Sequence, residues 1–74
     1  MTETALNDIA LTVNGEPRRV PATTTLAELV ASVSAANTGV AAALNEAVVP
    51  RGSWPGTALH GGDRVEILTA VQGG

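Results

Sequence analysis

Ile9, Leu11 and Val13 alternate with Ala10 and Thr12. A period of two puts every second side chain on one face, so this stretch predicts a half-buried strand. Asn14-Gly15 follows, and both residue types tolerate the positive φ that a two-residue hairpin turn needs. Glu16 to Val20 is then the returning strand. Pro17 has no N–H to give a ladder, which places this strand at a sheet edge. Beyond Pro21 the period changes. Leu26, Leu29, Val30 and Val33 recur at helical spacing, and Thr25-Leu26-Ala27-Glu28 has the form of a capping box. A helix is predicted from about Leu26 to Ala35. Its end falls near Ala36-Asn37-Thr38-Gly39, where Asn or Gly can close it.

Val40, Ala42 and Leu44 share one face of a third strand, Val40 to Leu44. Asn45-Glu46 makes a tight turn, and Ala47-Val48-Val49 is a short fourth strand stopped by Pro50. Arg51 to Leu59 reads as an irregular connection, and His60-Gly61-Gly62-Asp63 as another turn. Arg64 to Val71 is the last strand, with Val65 and Ile67 inward and Glu66, Leu68 and Ala70 outward. The pattern predicts an α+β fold, a mixed sheet of four or five strands packed on one main helix. Parallel pairing of the first and last strands puts the last strand in the middle. From that fixed point Gln72-Gly73-Gly74 would project as a flexible tail. Glycine lacks Cβ, so Gly73 and Gly74 make a thin lead that fits a narrow channel, with an unhindered carboxylate at its tip. The chain has 74 residues, which predicts a single domain with a loose lead over 1–7.

Charge narrows the function classes. Four Arg, no Lys and seven acidic residues give a net charge of −3. There is no basic patch to neutralise phosphates, so nucleic acid is not an expected partner. A modest acidic balance suits a protein that meets a basic surface. No apolar run approaches the ~20 residues of a membrane span. Met1-Thr2-Glu3-Thr4 lacks the basic and apolar regions of a signal peptide, so a cytoplasmic location is expected.

Side-chain chemistry is sparse. There is no Cys, no Tyr and one His. That removes disulfides, thiolate metal sites and a thiol nucleophile. His60 has no second His or Cys to complete a metal site. No nucleophile–base pair exists, and Asp63 with Glu66 forms no acid–base couple. The chain is therefore expected to be no enzyme and to bind no metal or cofactor itself. Trp54 has two open roles, a partner contact or a lid on the edge of a small core. Leu68 and Ala70, both outward next to the tail, are docking candidates. Arg51 and Arg64 read as solvated charges.

Three features together resemble the small ubiquitin-like (β-grasp) sulfur carriers, most closely the ThiS type of thiamine biosynthesis. One is the tail Val71-Gln72-Gly73-Gly74. Another is Ala43-Leu44-Asn45-Glu46-Ala47-Val48-Val49-Pro50-Arg51 followed by Trp54. The third is Gly62-Asp63 before the last strand. The likeness runs from about Ile9 to Gly74. It departs at a few extra residues before the first strand and at Gln72, where apolar or small residues are also common.

The resemblance implies a chemistry. A ThiF-like activating enzyme would use ATP and Mg²⁺ to adenylate Gly74. A sulfur donor fed by a cysteine desulfurase would then make the thiocarboxylate, and thiazole synthase, ThiG, would accept the sulfur. Gly74 would carry the sulfur and Gly73 would supply clearance. The alternatives are a MoaD-like carrier of molybdopterin synthesis, a ubiquitin-like protein modifier, or an interaction module with an inert tail. The Pro50-Arg51-x-x-Trp54 segment favours the thiamine branch.

Overall fold

The computed structural model describes residues 7–34 and 39–69. In chain order it holds β1 (Asp8–Val13), β2 (Glu16–Pro21), α1 (Leu26–Val33), β3 (Val40–Leu44), β4 (Ala47–Val49), a 3-10 helix (Arg51–Gly56) and β5 (Arg64–Thr69). The strands form one five-stranded sheet in the order β2-β1-β5-β3-β4. β1 and β5 run parallel, and the other neighbours are antiparallel. The mixed sheet, the one α-helix among the described residues, the edge position of β2 and the central position of β5 all match the pattern-based expectation.

Each hairpin turns where residues accept positive φ. Asn14 and Gly15 sit at 53° and 85°, and Asn45 and Glu46 at 51° and 74°. Positive φ at both central residues gives a turn whose twist matches the flanking strands. α1 starts on the expected capping box. The Thr25 hydroxyl accepts from Glu28 N at 3.2 Å, and Thr25 N donates to the Glu28 carboxylate at 3.0 Å. The helix is short, and an isolated helix of this length is marginal in water, so packing must hold it. Leu26, Leu29 and Val30 supply that packing, in one cluster with Leu11, Val13, Val20, Ala42, Trp54, Leu59, Val65 and Ile67.

Two stretches differ from the sequence pattern. The helix ends at Val33, short of Ala35, because Ser34 leaves helical angles at φ −129°, ψ 132°. Ser32, Val33 and Ser34 are weak helix formers, and Val33 is exposed there rather than buried. The expected closure over Ala36 to Thr38 lies outside the described residues, as does the extension of the last strand through Ala70 and Val71. The stretch expected to be irregular contains a 3-10 helix at Arg51–Gly56. Ser53 N bonds to Pro50 O at 2.8 Å and Thr57 N to Trp54 O at 3.1 Å.

That helix fixes Trp54. Side chains at i and i+3 eclipse in a 3-10 helix, which stacks the Arg51 guanidinium over the indole, 5.6 Å from the ring centroid. The indole Nε1–H donates to Val49 O at 2.8 Å, and the residue is only 6% exposed. Trp54 is thus a core residue, the structural of its two roles. As a partner-docking candidate it is corrected: a ring buried on one side and covered by Arg51 on another offers little to an incoming surface. Leu59, in the link after the 3-10 helix, is a further core residue that periodicity did not reveal.

Candidate functional site

β5 carries the site. Its side chains alternate, with Val65 and Ile67 buried and Glu66 and Leu68 exposed. Its backbone groups alternate as well. Asn45 N donates to Arg64 O at 2.7 Å from the β3 side, and Asn14 N donates to Val65 O at 2.8 Å from the β1 side.

Two asparagine side chains add to these ladders. On the β3 side, Arg64 N donates to Asn45 Oδ1 at 2.9 Å, and Asn45 Nδ2 donates to Asp63 Oδ1 at 3.1 Å. On the β1 side, Ile67 N donates to Asn14 Oδ1 at 2.8 Å, and Asn14 Nδ2 donates to Ile67 O at 3.1 Å. The Gly62-Asp63 turn completes the entry to β5. Gly62 sits at φ 86°, a conformation glycine adopts without strain. Asp63 Oδ2 accepts from His60 N at 2.8 Å. Thr12 N donates to Asp63 O at 3.0 Å and Gly62 N to Ala10 O at 2.7 Å. The start of β5 is therefore tied to both neighbouring strands and to its own turn.

The sheet face away from α1 carries a shallow apolar trough. Leu68 is 69% exposed and Val48 77%. Ala41, Ala43 and Glu66 lie between them. Register explains the shape, because Ala41 sits opposite Leu68, while Ala43 sits between Glu66 and Val48. The alanines form a low floor with an aliphatic side chain at each end. Arg64 and Glu46 pair at 3.0 Å near the β3–β4 turn, and both are exposed, so the pair adds little stability.

Leu68 is thus outward as expected, and the sheet joins it to Val48, a residue the sequence reading did not single out. Trp54 lies in the core with α1, away from this face. Ala70, Gly73 and Gly74 lie outside the described residues. Among the described residues no cluster of His, Asp or Glu could hold a metal ion, and no helix is long and apolar enough to cross a membrane. In the sequence Asn14 counts only as a turn residue, and Asn45 as a turn residue within the segment that carries the family resemblance. Their shared signal is Asn at the first position of both two-residue turns.

The model of the ThiS family matches residues 11–74. This chain belongs to the ThiS family. It is also similar to the crystal structure of the thiamine biosynthesis protein ThiS from Geobacter metallireducens, at 33% identity and a TM-score of 0.73. That alignment covers 89% of this chain and 100% of the other. With that likeness, the mixed sheet over one helix is a ubiquitin-like β-grasp. No curated protein matches at a comparable level. The range matched to the ThiS family takes in Asn14, Asn45, Pro50-Arg51, Trp54, Gly62-Asp63 and the Gly73-Gly74 end.

Proposed function

We propose that this chain is a sulfur carrier of thiamine (thiazole) biosynthesis and that its chemistry resides on Gly74. The observation that carries this reading is the ThiS-family match running through the Gly-Gly end. The geometry supports it, because β5 is central, fastened on both sides and continuous in sequence with that end.

On this reading the chain is a substrate rather than a catalyst. A carboxylate is a poor electrophile. The Gly74 carboxylate attacks the α-phosphate of ATP in a ThiF-like enzyme, and pyrophosphate leaves with Mg²⁺ assisting. The acyl adenylate is then attacked by sulfur from a donor fed by a cysteine desulfurase. AMP leaves; with a persulfide donor the product is an acyl disulfide, and a second thiol on the donor side then cleaves its S–S bond, becoming a disulfide itself and freeing the thiocarboxylate on the terminus. ThiG receives the sulfur. ATP and Mg²⁺ belong to the activating partner, and this chain supplies only the acyl group and the surface by which it is held. The trough between Leu68 and Val48 is the proposed docking face, with Ala70 next along the chain. Because the pathway runs on ATP, the cytoplasm is its proposed location.

The test is incubation of the full chain with activating enzyme, ATP, Mg²⁺ and a sulfur donor, followed by mass spectrometry. The expected result is replacement of one oxygen by sulfur, placed on Gly74 by fragmentation, with sulfur transfer to thiazole synthase. Transfer to a molybdopterin synthase instead would assign the MoaD-like branch. Isopeptide linkage to target lysines would assign a modifier. An unmodified terminus, where a known carrier is converted, would leave an inert interaction module.

A further inference from the structure

We propose that Asn14 is a positioning residue for the reaction of the C-terminus, a role that rests on the carrier reading above. β1 pairs with β5 at only two positions, Thr12 with Arg64 and Val13 with Val65. At Asn14 the main chain swings away through positive φ into the hairpin. The side chain does not follow it. Its primary amide holds the same donor and acceptor as a peptide group, and it meets both the N–H and the C=O of Ile67. The parallel ladder thereby gains one more rung after its backbone partner has left.

This rung sets where two-sided support of β5 ends. With it, the last point fastened from the β1 side among the described residues is Ile67. Without it, that point retreats to Val65, whose carbonyl takes the Asn14 backbone N–H. Two further residues of the segment leading to the tail would then be held from β3 alone, about 7 Å of extended chain. The reacting carboxylate lies at the end of that segment. Displacement of reacting groups by ~1 Å can cost about a hundredfold in rate. Few other residues can do this job at position 14. Asp would set an oxygen against Ile67 O in place of a donor. Ala has no amide and strains at positive φ, whereas Gly accepts the φ but offers no partner.

The experiment compares wild type, N14G, N14D and L68E as full chains. Pyrophosphate release by the activating enzyme gives kcat and KM. Amide exchange reports Ile67, Leu68 and Thr69 against Leu29 and Val65 as core references. The expected result for N14G and N14D is a kcat about tenfold lower with KM within about twofold, since orientation rather than binding is lost. Faster exchange should be confined to Ile67–Thr69. L68E should show the opposite split, a raised KM and little change in kcat. Unchanged kcat in both Asn14 variants, with wild type active, would overturn the positioning role. Global loss of protection in both would also overturn it, by making the amide a requirement of the fold. If wild type itself releases no pyrophosphate, the carrier reading falls first and takes this proposal with it.

Discussion

Trp54 shows how much one residue can decide in so small a core. It belongs to the core cluster with residues of α1 and the sheet, and its Nε1–H satisfies Val49 O. Trp54→Phe keeps an aromatic ring and removes the donor, leaving a carbonyl short of a partner. The expected cost is ~1–3 kcal/mol, read from the urea midpoint by circular dichroism. Trp54→Ala should cost ~3–5 kcal/mol and unfold much of the population. A Phe variant as stable as wild type would show that water serves Val49 O equally well. The inward set of β5 was legible in the sequence, because alternation sends Val65 and Ile67 one way and Leu68 the other whatever else packs nearby. The side of Trp54 was not legible. An isolated aromatic between two prolines has no period to read, and its burial depends on a 3-10 turn that brings Arg51 above it. Asn14 was legible only in part. Its turn preference is local, but the Ile67 backbone it holds is 53 residues away.

At the scale of elements, α1 and β5 are held by different means. α1 relies on its N-terminal cap and one apolar face. Thr25→Ala removes the hydroxyl that accepts from Glu28 N, and should cost about 1 kcal/mol, measurable as a shift in denaturation midpoint with unchanged slope. The capping box was legible because both partners are three residues apart. The helix end was not, since Ser32, Val33 and Ser34 decide it by weak propensity rather than by a strong stop signal. β5 relies on neighbours far off in sequence, and its two faces make opposite predictions. Leu68→Glu changes an exposed side chain and should alter stability by no more than ~0.5 kcal/mol. On the docking reading it should weaken binding to the activating enzyme, followed by calorimetry. Ile67→Glu buries a charge and should prevent folding. If Leu68→Glu is the variant that unfolds, the trough is not a surface, and the strand's faces are exchanged.

At the scale of the whole molecule, the sheet holds the strand that leads to the proposed reacting end. The sequence has no Cys, no Tyr and a single His, which leaves few side chains of the kinds that serve as activated nucleophiles. His60 Nδ1 stands 3.9 Å from Asp63 Oδ2 in an exposed turn, and that turn's work is to lead into β5. His60→Ala should therefore leave thiocarboxylate formation intact. The sheet instead fastens β5 from β1, β3 and two asparagine side chains, and the chain beyond it ends in Gly73-Gly74. If Gly74 is the reacting group, distance along the chain should matter more than composition. One residue appended after Gly74 moves the carboxylate by up to ~3.6 Å. Near-attack geometry tolerates far less, because ~1 Å can cost about a hundredfold. An appended alanine also brings a Cβ to the position where the narrow lead is needed. Deleting Gly74 withdraws the carboxylate by a similar step. Both variants should keep the wild-type fold and binding to the activating enzyme, yet give no mass shift from oxygen to sulfur. Conversion of the alanine-extended chain at the wild-type rate would show that the reacting group is not set by its distance from β5.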